Sequence, residues 1–217
     1  YAETAGKPSP RRLFYLAREY ADHGDADRAL AVFGEYLAVA HWSDERYLAQ
    51  TRVAALLRDQ KRYDEAIDAD LAALKIHPRW PAAYFGLARS YYFLEDWPKV
   101  VHWTDIGRAL PPPDTTLFVN PRDHTFTWIV YYTNALYRTG DVENALAWTL
   151  RALETAPDNR SHRDNLAFFT RMQEGTRIDV DTARAQSPGL PTYAVIPVRD
   201  RHPLTLALLA QLGLPPE

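Results

Sequence analysis

The sequence contains no cysteine. This absence excludes disulfide bonds, thiolate metal sites, iron–sulfur clusters and a cysteine nucleophile. Methionine is almost absent too, since Met172 is the only one. The chain opens at Tyr1 and not at an initiator methionine. We therefore expect the sequence to be an excerpt of a longer protein, with residues 1–9 forming a linker.

An excess of basic residues is also lacking. The 25 lysine and arginine residues are outnumbered by 28 aspartate and glutamate residues, which gives a net charge of −3. General nucleic-acid binding needs a clear positive surplus, so we predict no nucleic-acid partner.

Long hydrophobic runs are missing as well. The longest apolar-looking stretch, 203–214, covers about 12 residues, whereas a membrane-spanning helix needs about 20. The amino end carries no apolar core of a signal peptide. We therefore predict no membrane span, and a cytoplasmic location is the default expectation.

The sequence does contain an internal repeat. Residues 63–78 have a counterpart in 142–157, and a third copy starts at Ala26. The unit resembles the tetratricopeptide repeat, a helix–turn–helix of 34 residues. Aligning the small residue of each second helix gives spacings of 37, 34 and 45 residues (Ala29, Ala66, Val100 and Ala145). The last spacing places 11 extra residues at 111–121.

Helical hairpins explain the residue types at the repeated positions. The two helices of a hairpin cross closely, so each needs a small residue; on the first helices these are Ala17, Ala54, Ala88 and Thr133. Small residues on the second helices let the next first helix approach (Ala73, Gly107 and Ala152). Large residues at helical spacing are predicted to fill the space between (Leu13, Leu16, Tyr20, Tyr84, Leu87 and Tyr91).

The turns inside the hairpins follow two patterns. Gly24 and Gly140 end first helices, where a left-handed residue is needed, and the aspartates that follow them favour the start of the next helix. Lys61 and Glu95 stand where the other two turns should have glycine, so we expect those turns to take another shape. Asp70 and Thr104 replace expected aromatic residues.

The predicted fold class is all-α, a right-handed α-solenoid of four hairpins with a capping helix, followed by the start of an α/β domain. The repeats cover about 10–43, 47–80, 81–114 and 126–159, and the cap covers 159–173. The predicted helices are 10–22, 27–40, 44–59, 63–76, 80–94, 97–109, 123–139, 142–155 and the cap. A linker is predicted at 176–191, since the helical period stops after Gly175.

The last segment, 192–217, is predicted to form a strand, a tight loop and a helix. It resembles the opening of a family-2 glycosyltransferase domain of the GT-A type, whose first strand ends in a loop like 196–201, IPVRDR. The resemblance implies that Pro197 and Val198 lie against the base of a nucleotide-sugar, and that Arg199 or Asp200 contacts it. It also implies a divalent metal in a catalytic domain beyond this chain. Within the chain itself we predict no cofactor.

The repeats themselves resemble those attached to bacterial family-2 glycosyltransferases. The shared features are FYLAREY at 14–20, Gly24-Asp25 and WSDE at 42–45. Leu117-Phe118 in the insertion and Asn165-Leu166 in the last helix are further shared features. This resemblance spans most of residues 11–175.

No catalytic residue is predicted in the chain. Asp-x-Asp, which binds metal and sugar diphosphate in GT-A enzymes, occurs at 25/27, 68/70 and 179/181, but none of these follows an apolar strand. His162-Arg-Asp164 imitates a kinase catalytic loop without the rest of its motif, and we interpret it as a solvated helix start. The seven histidines show no metal-ligand spacing.

The predicted binding surface is the concave face of the stack, where arginine and aromatic side chains suit a protein or peptide. The residues are Phe14, Arg18, Arg58, Phe85, Arg89, Tyr92, Asn134, Tyr137 and Arg138. The alternative is that some of them pack internally and that the arginines are merely solvated.

Three functions remain open on the sequence. The leading one is a repeat module of a glycosyltransferase, which positions an acceptor protein or the adjacent glycosyltransferase domain for inverting transfer from a nucleotide-sugar. The second is a free-standing adaptor that binds proteins and has no catalytic activity. The third is a transferase active by itself. A homodimer is left open.

Overall fold

The structure is a computed structural model, and it describes residues 8–117 and 127–186, with side chains described up to 173. Within these ranges the chain forms nine α-helices and no strand. The helices are α1 (Pro10–Asp22), α2 (Ala26–Val39), α3 (Ser43–Asp59), α4 (Tyr63–Ile76), α5 (Pro81–Phe93), α6 (Trp97–Ala109), α7 (Ile129–Arg138), α8 (Val142–Thr155) and α9 (Arg160–Gln186).

The helices belong to two compact units that divide between Tyr131 and Tyr132. Unit 1 contains α1 to α6 and the first turn of α7, and unit 2 contains the rest of α7 with α8 and α9. In unit 1 the helices pair as α1 with α2, α3 with α4 and α5 with α6. The all-α repeat prediction is therefore confirmed for the described residues, while the strand and helix predicted at 192–217 lie outside them.

Two predicted boundaries differ from the structure. The seventh helix begins at Ile129 and not at residue 123, because Thr127 and Trp128 form a turn; 123–126 lie outside the described residues. The ninth helix continues to Gln186, so the first part of the predicted linker is helical. No proline interrupts 160–186, and the first helix-breaking residue is Pro188.

The small residues predicted at the helix crossings are buried. In unit 1, Ala17, Ala54 and Ala88 of the first helices are at most 2 % exposed, as are their partners Ala29, Ala66 and Val100. In unit 2, Thr133 and Ala145 are fully buried. Small side chains at these positions let the paired helices approach closely, which is what the repeat pattern required.

The residues predicted to fill the core behave less uniformly. Leu13 and Leu87 are buried, whereas Leu16 is 40 % exposed, so its predicted core role is wrong. No described helix precedes α1 to cover Leu16. Ala73 packs beside Ala83 of the next hairpin, as predicted. A Cβ at Gly107 would instead lie 2.8 Å from Phe85 of its own hairpin.

All four turns inside the hairpins have one shape. Gly24 and Gly140 have φ of 79° and 90°, and Lys61 and Glu95 have φ of 61° and 58°. Each of these residues donates its N–H to the carbonyl three positions earlier, and the next residue donates to the carbonyl five positions earlier. This is the Schellman motif. The expectation of a different turn at Lys61 and Glu95 is therefore wrong, because the hydrogen bonds of the helix end outweigh the strain of a side chain there.

Candidate ligand-binding face on the first helices

Phe14 of α1 was predicted to line the groove, but it lies in the core of the first hairpin. Its side chain is 6 % exposed. Its ring packs against Phe33 and Tyr36 of α2, with centroids 6.2 and 5.3 Å away. Phe14 is therefore unavailable to a ligand.

Arg58 of α3 is buried as well, because it forms an ion pair with Asp70 of α4. Arg58 Nη1 lies 2.5 Å from Asp70 Oδ2, and the two side chains are 7 % and 0 % exposed. The same Nη1 donates to the carbonyl oxygen of Gly86 at 3.3 Å and to Ser90 Oγ at 3.4 Å. The pair thus joins α3, α4 and α5 inside unit 1.

Asp70 occupies a position that is unusual for a carboxylate. Burial raises the pKa of Asp70 to about 7, and the neighbouring Arg58 charge opposes that rise. Asp70 Oδ1 has no hydrogen-bond partner among the described residues. Gly86 makes the room for it, because a Cβ at that position would lie 2.4 Å from Asp70 Oδ2. A charged residue at a core position is the sequence signal that should prompt a search for its partner.

Phe85 of α5 is covered by the start of the next hairpin. Its ring stacks on Trp128, with centroids 5.4 Å apart and an angle of 10° between the planes. The Phe85 side chain is 8 % exposed. Sequence reasoning missed Trp128 because it precedes α7 by one residue, in a stretch predicted to be helical.

Three predicted groove residues of unit 1 remain accessible, and each contacts an aromatic ring. Arg18 is exposed, with its guanidinium carbon 5.9 Å from the ring centre of Tyr15. Arg89 is half-buried, and its guanidinium carbon lies 5.8 Å from the ring centre of Tyr131. Tyr92 meets the same ring edge-on at 4.9 Å. Arg89, Tyr92 and Tyr131 therefore form one arginine–aromatic cluster between α5 and the first turn of α7.

Arg18 and Arg89 take part in none of the ion pairs formed among the described residues of unit 1. Arg89 Nε is buried without a hydrogen bond among these residues. The exposed ion pairs of unit 1 lie instead on the second helices or at their starts, where both partners are close in sequence (Arg28–Asp25, Arg62–Glu65, Lys99–Asp96 and Arg108–Asp105). Among the described residues of unit 1, the charges of Arg18 and Arg89 are therefore not neutralised by a carboxylate.

Sequence reasoning missed the exposed aromatic residues of this region. Tyr15 is 47 % exposed and lies beside Arg18 on α1. Phe93 at the end of α5 is 43 % exposed, and Tyr63 of α4 stacks on it at 5.3 Å. The helical spacing of Arg89, Tyr92 and Phe93 was a signal that could have included Phe93.

In unit 2, the three predicted groove residues all belong to α7. Asn134 and Tyr137 are half-buried, and Arg138 is exposed. The Tyr137 ring packs against Phe168 and Phe169 of α9, with centroids 5.0 and 5.5 Å away. Tyr137 therefore contributes to the packing of unit 2 as well as to its surface.

The similarity of this chain to known proteins lies in its structure and not in its sequence. No family model and no curated protein matches the sequence. Among solved structures, a tetratricopeptide repeat protein from Parabacteroides merdae matches with a TM-score of 0.62, 15 % identity and coverage of 83 % of this chain and 67 % of that one. The tetratricopeptide repeat protein YrrB, described as having an unusual peptide-binding site, matches with a TM-score of 0.61, 16 % identity and coverage of 94 % and 92 %.

A third solved structure is the first tetratricopeptide domain of Spaghetti bound to an HSP90 peptide. It has a TM-score of 0.52 and 19 % identity, and the match covers 60 % of this chain and 97 % of that one. The described helices have the tetratricopeptide repeat (TPR) fold. At these identities the similarity concerns the fold alone.

The WSDE motif in the second TPR hairpin has structural roles. Glu45 is buried and accepts a hydrogen bond from Tyr36 at 2.8 Å. Asp44 Oδ1 lies 3.0 Å from His77 Nε2, and its Oδ2 accepts from Thr115 at 2.8 Å. Because the hydroxyl meets the carboxylate and not the imidazole, this is not the order of a catalytic triad. The contacts fasten the start of the predicted insertion to α3.

The Asp-x-Asp and His-Arg-Asp motifs of the sequence lie on the TPR helices or at their starts. Asp25 caps α2 by accepting from the Arg28 N–H, and Asp68 is exposed while Asp70 is buried, so these two point apart. His162 was predicted to be solvated, but it is fully buried, and burial lowers its pKa. That prediction is wrong because the helix start packs inward. Residues 179 and 181 belong to α9, beyond the described side chains.

Several predictions concern residues that the structure leaves undescribed. Pro197, Val198, Arg199 and Asp200 of the implied nucleotide-sugar loop lie outside the described residues. Within the described part, no group of three or more histidine, aspartate or glutamate side chains is placed to hold a metal ion. Among the described helices, none combines the length and the apolar character that crossing a membrane requires.

Proposed function

We propose that the chain is a TPR module that binds a peptide or protein segment on its first helices, with Arg89, Tyr92 and Tyr131 as the central contacts. The observation that carries this proposal is that Arg89 has no carboxylate partner among the described residues, while its guanidinium lies on the Tyr131 ring. The similarity to TPR structures, one of them bound to a peptide, supports it.

The chemistry of the cluster suits a protein ligand. Arginine and tyrosine, like tryptophan, are enriched among the residues that dominate binding energy at protein interfaces. The ring face of Tyr131 holds the guanidinium in place, which lowers the entropy lost when a ligand orders it. Arg89 Nε is already buried away from water and has no hydrogen bond among the described residues. A hydrogen-bond acceptor on a ligand that reaches the guanidinium therefore displaces less bound water than it would at a fully hydrated arginine.

The proposal is tested by selecting short random peptides on the immobilised protein and measuring affinity by fluorescence anisotropy. We expect Arg89→Met and Tyr92→Ala each to weaken binding about tenfold or more, which corresponds to about 1.4 kcal/mol. Arg28→Met is the matched control, because Arg28 also lies over a tyrosine ring, that of Tyr20, but on a second helix. Equal losses in Arg89→Met and Arg28→Met, or no selected peptide, would contradict the proposal.

We further propose that this module serves a family-2 glycosyltransferase, in which it positions an acceptor protein or the adjacent catalytic domain near a GT-A active site that holds a divalent metal. The support is the sequence resemblance of the loop at 196–201 and of the repeat motifs at 14–20 and 42–45. The alternative function is a free-standing TPR adaptor without catalytic activity. The similarity to TPR structures is compatible with both functions and favours neither, because it concerns the fold alone.

A further inference from the structure

The ion pair between Arg58 and Asp70 is the most unusual feature inside unit 1. Both charges are withdrawn from water, at 7 % and 0 % exposure, and one carboxylate oxygen has no hydrogen-bond partner among the described residues. Burying a charged pair this way contributes little or nothing to stability compared with apolar residues of the same size. The value of the pair must therefore be sought in the geometry that it imposes.

That geometry is defined on α5 from two sides. Arg58 Nη1 donates to the Gly86 carbonyl oxygen and to Ser90 Oγ, which lie one helical turn apart. The Asp70 carboxylate lies against the Cα of Gly86, so that any larger residue there would have to displace the carboxylate. The network thus fixes both how closely α5 approaches α3 and α4 and where α5 lies along its axis.

Gly86 and Ser90, the residues of α5 that the network contacts, are close in sequence to the arginine–aromatic cluster. Gly86 follows Phe85, which stacks on Trp128, and Ser90 follows Arg89, which lies on Tyr131. A shift of α5 at Gly86 and Ser90 therefore moves Arg89 and Tyr92 relative to the rest of the first-helix face. Arg58 itself has almost no exposed surface and does not reach a ligand.

We propose that Arg58 and Asp70 are positioning residues that set the placement of α5, and through it the specificity of the ligand-binding face. This inference rests on the proposed function only in assuming that the face binds a ligand. The placement of α5 can be measured in the absence of any ligand. The helical spacing predicts that Arg58 contacts a ligand directly in the groove, whereas its burial in the pair leaves it only an indirect role.

The first experiment measures the distance between α3 and α5 with spin labels. The absence of native cysteine allows labels at two exposed positions, Asp59→Cys at the last residue of α3 and Leu94→Cys at the residue that follows α5. We expect Arg58→Met to shift or broaden the distance distribution by about 1–2 Å, the usual size of helix shifts. Gly86→Ala is expected to act in the same direction, because its methyl group displaces the Asp70 carboxylate.

Controls separate positioning from loss of stability. Arg62→Met makes the same chemical change in an exposed ion pair at the start of α4, and we expect no change in the distance. If Arg58→Met fails to fold, Arg58→Met with Asp70→Asn removes both charges and tests the same point without an unpaired buried carboxylate. Arg58→Lys keeps the charge without the planar fork and is expected to restore the distance only in part.

The second experiment repeats the peptide selection on folded Arg58→Met protein. We expect the selected sequences to differ from those of the wild type, and the wild-type peptide to bind about tenfold more weakly. An unchanged distance distribution in folded Arg58→Met and Gly86→Ala proteins overturns the inference. A changed distance with no peptide bound by the wild type means that the proposed function fails while the positioning role stands.

Discussion

At the scale of single residues, Asp70 shows how a buried carboxylate affects stability. Burial raises its pKa from 3.8 to about 7, so between these values the folded state binds more protons than the unfolded state. A raised pKa in the folded state contributes stability that is present at low pH and is lost as the pH rises. The stability contributed by Asp70 is therefore lost between about pH 4 and pH 7, the pKa values of its carboxyl group in the unfolded and folded states.

The pH prediction compares the wild type with Asp70→Asn. We expect the free energy of unfolding of the wild type to fall, relative to the variant, as the pH rises from about 4 to 7, since the variant has no group to titrate there. Urea unfolding at a series of pH values measures the difference. A parallel pair of curves would show that Asp70 titrates equally in both states.

The two strained turns give a second prediction at this scale. Lys61 and Glu95 adopt positive φ, which costs a residue with a side chain about 1–2 kcal/mol, while glycine loses about 0.5–1 kcal/mol more entropy on folding. We therefore expect Lys61→Gly and Glu95→Gly each to stabilise the protein by about 0.5–1 kcal/mol in urea unfolding. Arg52→Gly, at an exposed position in the middle of α3, is the control and should destabilise it by about 1 kcal/mol.

At the scale of elements, the hairpins follow from the repeat pattern, because small residues recur wherever two helices cross. The repeat spacing alone is enough to predict that Ala17, Ala54 and Ala88 are buried. The turn shape could not, since Lys61 and Glu95 lack the residue type that favours it, and only the hydrogen bonds at the helix ends reveal it. The length of α9 was missed because a glycine inside a helix weakens it without ending it.

The cap of unit 2 provides a prediction for an element. Phe169 of α9 is fully buried and packs against Tyr137 of α7. We expect Phe169→Ala to destabilise unit 2 by about 3–5 kcal/mol, the usual cost of removing a buried phenylalanine. Hydrogen exchange should show the loss in the amides of α8 and α9. Leu150→Ala, at a residue 48 % exposed, is the control, and a similar loss there would contradict a capping role.

At the scale of the whole molecule, the TPR fold could be predicted from the sequence, and the binding face only in part. Fold depends on repeated small and large residues, which the sequence displays directly. The face depends on which arginines find partners across helices, and Arg58 finds one in Asp70 while Arg89 finds none among the described residues. Such pairing is a property of the packed structure, so three of the six predicted groove residues in unit 1 turned out buried (Phe14, Arg58 and Phe85).

The whole-molecule prediction distinguishes a glycosyltransferase module from an adaptor. If the module positions an acceptor protein, changing the binding face should impair transfer to that acceptor without impairing the chemistry at the sugar donor. On the glycosyltransferase proposal, we expect the protein to transfer sugar from a nucleotide-sugar. Arg89→Met should lower transfer to a protein acceptor about tenfold and leave hydrolysis of the donor unchanged.

The measurement is incubation with a panel of radiolabelled nucleotide-sugars, followed by counting of labelled protein and of free sugar. Arg28→Met is again the control, and it should change neither rate. Equal losses of transfer and hydrolysis would mean that Arg89 supports the catalytic domain and not the acceptor. No transfer and no hydrolysis with any donor, combined with peptide binding that depends on Arg89, would leave the adaptor as the function, because the face would then act without chemistry attached.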